Sequence, residues 1–463
     1  MNTLNTYSSS GGELYPTIDK RAFSFSNDQA VGITIAEQRL ESYNPTVAPA
    51  NVSTLNNQSY RYEFNINQSS DGSMLDLANS FFEVSFQLNA GGFGGNIGLA
   101  PFAADSMITD CFIYLNTTLV SEPHTNLYPW SALAKNLLLQ KRPACPTALA
   151  GWVSTSEDVV EEGMYTPNPL VSAITSAANA PYNWSFNYLT QSQTFKLKVR
   201  LKEGAFLQKN FLPAEQNLRI VLILQPYNAF IDLAAEVLTT HPVAVTGVTY
   251  NLMRVILTED ARRGLMGGLA VSQLKFPMLY TKIETKSIPV GSTQFNSHVF
   301  QSQTRPNMLM IFLQNTGLTS AAPLVICGSG KSLGAAATAP AVSQLFVRVN
   351  GKQYPAPTGP QMSNTNLTSY RKYVDMCLGD SQDVFLDYIS WSNHWTAYCI
   401  NLDNDVMQPP WGQMASSEMV SIDVYCTFPQ ALAAAATMYV VAITNASFTI
   451  DQGGNVTKYN FVN

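Results

Sequence analysis

Large apolar and polar residues alternate at period two over many short stretches of this chain. Ser59-Tyr-Arg-Tyr-Glu-Phe-Asn-Ile-Asn is a clear case, and Phe81-Phe-Glu-Val-Ser-Phe-Gln-Leu-Asn repeats it before Gly91-Gly-Phe-Gly-Gly closes the run as a loop. Such a period sets one face of an extended strand against a core and the other against solvent. Cys111-Phe-Ile-Tyr-Leu-Asn, Phe195-Lys-Leu-Lys-Val-Arg-Leu, Leu218-Arg-Ile-Val-Leu-Ile-Leu and Val248-Thr-Tyr-Asn-Leu-Met-Arg-Val-Ile-Leu continue the series through the first half. Strand-like segments resume at Pro277–Ile288, Met308–Leu313, Leu345–Asn350, Trp395–Leu402, Val420–Phe428, Met438–Thr444 and Ser447–Asp451. The two clearest helical stretches are short: Pro129–Leu139, with Trp130, Leu133 and Leu137 along one face, and Ser369–Leu378. Many short strands, few helices and long Pro/Gly-rich connections predict an all-β chain of antiparallel sandwiches or jelly rolls, arriving twice.

The two arrivals are separated at Glu259-Asp-Ala-Arg-Arg-Gly-Leu-Met-Gly-Gly-Leu, where charge and glycine interrupt the strands. Acidic residues lead a short helical turn there and Gly ends it. At 463 residues the chain exceeds what one core supports, so two domains of about 200 residues are expected. The expected division is an N-terminal arm over 1–50, a first roll over 51–258, a linker over 259–272 and a second roll over 273–463. Residues 1–50 have no strand or helix period yet carry Tyr7, Tyr15, Phe23, Phe25 and Tyr43, which suits a segment that orders against partners. The competing expectation is a frayed end, or the first strand of the first roll extended backwards. The long connections 140–183 and 351–394 exceed usual loop lengths and are expected to form contacts or outer projections.

Composition adds a constraint. Charged residues are 13 % of the chain, roughly half the ~25 % usual for soluble proteins, while 46 % are hydrophobic. Contact with neighbouring copies is one explanation, and a β-rich surface solvated by Ser, Thr, Asn and Gln is the other. A net charge of −6 argues against a coat on nucleic acid, which needs clustered Lys and Arg. Met1–Gly12 is polar and small, unlike a secretory signal, and no apolar run approaches the ~18 residues of a membrane span. The six cysteines, Cys111, Cys145, Cys327, Cys377, Cys399 and Cys426, have no C-x-x-C pair and are expected to be reduced, buried hydrophobes. The eight N-x-S/T sequons, at Asn51, Asn57, Asn67, Asn116, Asn183, Asn366, Asn445 and Asn455, reflect Asn/Ser/Thr richness on this reading.

Candidate chemistry is sparse. Leu324-Val-Ile-Cys-Gly-Ser-Gly-Lys-Ser ends like a phosphate-binding loop, but Val325 occupies the position where a P-loop needs its first glycine, so a plain loop is predicted. His124, His241, His298 and His394 are the only histidines, and none has another ligand at helix or zinc-finger spacing. A metal site or a Ser/His/Asp triad would have to be assembled by the fold. Glu157-Asp-Val-Val-Glu-Glu reads as a solvated charge run. No catalytic, cofactor-binding or metal residue is predicted.

Asp110-Cys-Phe-Ile-Tyr-Leu-Asn-Thr-Thr-Leu-Val-Ser, followed by Leu127-Tyr-Pro-Trp-Ser-Ala-Leu-Ala-Lys-Asn-Leu-Leu, resembles the double jelly-roll major capsid proteins of polintons, adintoviruses, adomaviruses and virophages. Phe206-Leu-Gln-Lys-Asn-Phe-Leu-Pro-Ala-Glu-Gln-Asn-Leu-Arg-Ile, Lys286-Ser-Ile-Pro-Val-Gly-Ser, Gln303-Thr-Arg-Pro-Asn-Met, Phe346-Val-Arg-Val-Asn-Gly-Lys-Gln-Tyr-Pro and Tyr398-Cys-Ile-Asn-Leu-Asp extend the likeness in order. It covers roughly residues 55 to 455. Trp130 stands where a second Tyr is usual, and the Gly/Ala-rich stretch 328–341 replaces an Asn-Pro-Phe element. The resemblance implies two consecutive eight-stranded antiparallel jelly rolls with a few short helices in loops. It also implies a non-enzymatic shell protein, made and assembled inside the host cell. Its partners would be a homotrimer, neighbouring capsomers, and penton and minor capsid proteins. An all-β carbohydrate-binding or adhesin-like protein is the alternative, and a bicupin-type enzyme is disfavoured by four scattered histidines.

Overall fold

The computed structural model describes residues 35–48, 60–69, 71–88, 97–99, 103–122, 124–139, 194–207, 210–224, 231–233, 243–271, 273–315, 341–357, 359, 361–364, 366–377, 388, 391, 396–402, 418–451 and 453–459. In the first half, β1 (Ile35–Tyr43), β2 (Tyr60–Ile66), β3 (Ser73–Leu88), β4 (Ile97–Leu99), helix α1 (Ala103–Ser106), β5 (Ile108–Leu115) and β6 (Thr118–Leu119) lead to helix α2 (Tyr128–Leu139). Then come β7 (Thr194–Val199), helix α3 (Gly204–Leu207), β8 (Leu212–Pro213), β9 (Leu218–Leu224), β10 (Ile231–Leu233) and β11 (Val243–Leu257). After helix α4 (Glu259–Val271), the second half runs β12 (Leu274–Ile288), β13 (Gln294–Ser302), β14 (Met308–Asn315), β15 (Gln344–Val349) and β16 (Lys352–Tyr354). Helix α5 (Leu367–Met376), β17 (Tyr398–Asn401), β18 (Val420–Thr427), β19 (Ala436–Ile450) and β20 (Val456–Tyr459) complete it.

Each half is an eight-stranded jelly roll, and the two have one topology. In the second, β12 to β19 form facing sheets ordered β12-β19-β14-β17 and β13-β18-β15-β16. The first repeats this as β1-β11-β3-β7 facing β2-β9-β5-β6, with β8 beside β3 and the β4–β10 ribbon added. Every pairing is antiparallel, as in β2 against β9 and β18 against β15. Strand β18 shows why these residues form strands: Val420, Ile422, Val424 and Cys426 are buried in the sandwich, and the alternate residues lie on the other face. The β15–β16 hairpin turns on Asn350 and Gly351, at φ 48° and 82°, a left-handed pair that Asn-Gly supplies at low cost.

Three segments differ from the sequence-based expectation. Ile35–Tyr43, inside the segment expected first as an arm, is strand β1 on the edge of the first sheet, paired with β11, as the competing expectation of a first strand extended backwards has it. It is mostly exposed and so has no apolar period to find. Polar contacts hold it instead: Arg254 donates to Glu41 (2.6 Å) and to the Tyr43 hydroxyl (3.0 Å), and the Ser42 hydroxyl meets Asn251 at 2.6 Å. The short turn expected after Glu259 is a 13-residue helix that continues through Gly264, Gly267 and Gly268. Met438–Thr444 and Ser447–Ile450 belong to the single strand β19, whose register against β12 is unbroken from Ile288↔Ala436 to Leu274↔Ile450.

That unbroken ladder joins the rolls. At 15 residues each, β12 and β19 are roughly 50 Å long. One end packs in the second sandwich, where Ile288, Met438 and Val440 are buried. The other end enters the first roll's core, with Leu274, Phe276, Met278, Tyr280, Phe448 and Ile450 joining Phe64, Phe82 and Tyr250. A third cluster lies between helices and sheet: Trp130, Leu133 and Leu137 of α2 and Tyr373 and Met376 of α5 cover Met308, Met310 and Phe312 of β14.

Candidate functional site

The chemistry flagged in the sequence falls partly within the described residues. The segment 324–332, the acidic run 157–162, His241, His394, Cys145 and Cys327 lie outside them. Cys111, Cys377, Cys399 and Cys426 are free and buried. Burial pushes the Cys377 thiol up to about 12 and those of Cys111 and Cys399 well above their ordinary value, which suits small hydrophobes rather than nucleophiles. Asn366 caps α5 by accepting from the Thr368 N–H (2.8 Å). Asn116 bridges the rolls, donating to Gln216 (2.6 Å) and to the Gly454 carbonyl (3.0 Å). These two sequon side chains are therefore in structural use.

The fold sets His298, Asp423 and Ser421 together on the exposed face of the β13–β18 pair. Asp423 approaches His298 Nδ1 at 3.0 Å and the Ser421 hydroxyl approaches the same nitrogen at 3.5 Å. A catalytic triad needs one imidazole nitrogen for the acid and the other for the nucleophile. Here one nitrogen serves both, so the three make a surface polar cluster.

The other described histidine, His124, lies in a deeply buried polar cluster. Glu122 and His124 follow β6, Ser131 and Lys135 project from consecutive turns of α2, Glu203 precedes α3, and Thr281 comes from β12 of the second roll. All six are essentially inaccessible to solvent. Glu122 accepts from Lys135 Nζ, from the Thr281 hydroxyl, from the Ser131 hydroxyl (3.2 Å) and from the Gly204 N–H (3.3 Å). Glu203 meets His124 Nε2 and accepts from the Glu122 N–H at 3.2 Å. Tyr128 closes one side with its ring edge-on to His124, and its hydroxyl accepts from the Lys202 N–H at 2.9 Å. Burial opposes ionisation of both partners in the His124–Glu203 pair, but their mutual attraction outweighs it, raising the imidazole and lowering the carboxyl.

Glycine at 204 is what lets this segment reach β12. A Cβ there would lie 2.4 Å from the Leu279 carbonyl oxygen and 2.5 Å from the Met278 side chain. The first roll therefore meets the second backbone to backbone beside the ion cluster.

Glu122, His124 and Glu203 could each offer one ligand atom to a cation, all within 4.8 Å of one another. The donor set fits a self-contained ion network better. Lys135 already places an ammonium on Glu122, and hydroxyl and N–H donors take up the rest of that carboxylate. A metal-bound imidazole normally donates its other nitrogen to a carboxylate or carbonyl, whereas His124 Nδ1 is buried with no partner among the described residues. The sequence had no way to mark this cluster, because Glu203 is 79 positions from His124 and Thr281 is 159 from Glu122.

Two eight-stranded rolls of one topology, fused through a shared ladder and an apolar helix layer, define a double jelly-roll protein. No protein-family model matches the sequence, and no curated protein is significantly similar to it. Solved structures do share the fold. A chain of the Sputnik virophage particle superposes with a TM-score of 0.58 at 12 % identity, covering 94 % of this chain and 90 % of its own. A chain of the PBCV-1 virus capsid gives 0.53 at 11 % identity, over 94 % and 99 %. The mavirus major capsid protein gives 0.50 at 11 % identity, over 95 % of each chain. Among the described residues no helix is long and apolar enough to cross a membrane.

Proposed function

We propose that the chain is a major capsid protein, forming trimeric pseudo-hexameric capsomers that tile the icosahedral shell of a double-stranded DNA virus or virus-like element. The observation that carries this reading is the tandem repetition of one roll topology, because three copies of a two-roll chain present six similar units around one threefold axis. The fold shared with the Sputnik particle, the PBCV-1 capsid and the mavirus major capsid protein supports it. Low charge suits a chain whose exterior meets neighbours, and the surface, not a catalytic centre, is the working part. Partners on this reading are two further copies, adjoining capsomers, and penton and minor capsid proteins. The first roll extends from β1 to residue 258, α4 links, and the second roll follows from 273. Of the arm expected over 1–50, residues 35–43 form β1, and residues 1–34 are proposed as the tether to neighbouring capsomers.

The test is native mass measurement with negative-stain microscopy of the purified chain at low micromolar concentration. Trimers of pseudo-hexagonal outline are expected, and a stable compact monomer defeats the proposal. Deleting residues 1–30 is expected to leave trimers intact and abolish shells. A monomer that binds glycans would instead favour the adhesin-like alternative.

A further inference from the structure

The buried ion cluster has a charge balance that depends on one proton. Glu122 and Glu203 bring two negative charges into a site without solvent, Lys135 brings one positive charge, and His124 supplies the second only when protonated. Other titratable groups lie around these four. Asp110 and Cys111 face the imidazole from β5, and burial favours the neutral form of each. Tyr128 of α2 and Tyr280 of β12 are likewise held neutral by burial. Asp105 of α1 bonds Asn136 at 2.5 Å, and Lys202 is buried beside Glu203.

The cluster also stands where the rolls touch. Thr281 of the second roll donates to Glu122, and Gly204, next to Glu203, is in backbone contact with Leu279. We propose that the His124–Glu203 pair is a proton-held clasp between the two rolls. With His124 protonated the cluster is neutral and segment 202–204 stays seated on β12. Loss of the proton leaves one uncompensated negative charge in a dry site, and the least costly relief is for that segment to lift from β12 and admit water.

The sign follows from the two shifts. His124 titrates above its ordinary 6.5, so its stabilisation is complete below that pH and is lost as pH rises through the folded-state value. Glu203 titrates below its ordinary 4.5, so its stabilisation is complete above that pH and is lost as pH falls through its folded-state value. The clasp is fully closed between these limits and opens on the alkaline side by loss of the imidazole proton.

Two measurements on the full chain test this. The thermal midpoint of the unaltered protein is expected to fall by about 1–2 °C per pH unit as pH rises from the ordinary imidazole value of 6.5 to the raised folded-state value of His124, and to level off above it. In Glu203→Gln the remaining Glu122–Lys135 pair is neutral beside a neutral imidazole, so that alkaline slope should vanish. Parallel slopes in the two proteins overturn the clasp. If the variant does not fold, hydrogen exchange of the unaltered chain decides alone. After correction for the intrinsic rate, protection of segments 200–206 and 278–282 is expected to drop about tenfold per pH unit in the same range, while the β13–β18 pair stays constant. Constant protection at the joint overturns the proposal.

Discussion

The two rolls share a topology and differ in what covers the outer face of the sheet that carries the third strand. In the second roll that face is apolar: Met308, Met310 and Phe312 of β14, with Val441, Ile443 and Cys399 beside them, lie under α2 and α5. Trp130 stacks on Tyr439 with centroids 3.9 Å apart, and the Tyr373 hydroxyl donates to the Leu137 carbonyl at 3.1 Å, closing the end of α2. In the first roll the corresponding face of β3 carries Phe81, Glu83 and Ser85, with Glu83 paired to Lys196 of β7 at 3.1 Å and Lys198 over the Phe81 ring. One fold thus accommodates a sheet with apolar side chains on both faces and a sheet whose outer face is largely polar. The difference shows in the strands themselves. Met308-Leu-Met-Ile-Phe-Leu is apolar throughout, whereas Phe82, Glu83, Val84 and Ser85 alternate. The two helices occupy the same connection in each roll, after the fifth strand and before the sixth, yet both pack on the second roll. Helix α2 also reaches the first roll's core through Tyr128 and Ala132, so it spans the two rolls, and they cannot be separated without stripping an apolar sheet.

Substitutions can break that contrast or sharpen it. The largest losses are expected at the joint. Phe312→Ala empties a site shared by both rolls, and Lys135→Met leaves Glu122 buried without its counter-charge, each costing about 3–5 kcal/mol. Urea unfolding followed by tryptophan fluorescence checks both, since Trp130 and Trp391 lie in the helix layer. A cost below about 1 kcal/mol for Phe312→Ala would erase the distinction between the faces. Arg254→Ala removes the fork that ties Glu41, Tyr43 and Ser73, at an expected cost of about 1–3 kcal/mol. Limited proteolysis is then expected to cut within 35–48 while the rest of the first roll persists. The smallest effect is expected at Glu83→Ala, on the polar outer face of β3, within about 1 kcal/mol for a partly exposed ion pair. A larger loss would mean that this face is covered in the assembled protein and not merely wet.

Period-two alternation located most of the strands, and the apolar stripe Trp130, Leu133, Leu137 located α2, because each signal is written within a few consecutive residues. The doubling of the rolls was legible for the same reason, as two series of alternating strands along one chain. What the sequence by itself determined was therefore the set of elements whose burial is local, and with it an all-β chain in two parts. Tertiary structure alone decided the rest. It recruited the nearly patternless Ile35–Tyr43 through a backbone ladder and an Arg254 fork, extended β12 and β19 into the first core, and drew Glu122, His124, Lys135, Glu203 and Thr281 into one dry cluster. Hydrogen bonds and ion pairs between distant segments leave no period in the chain, and whether a charged side chain is buried depends on neighbours that only folding supplies.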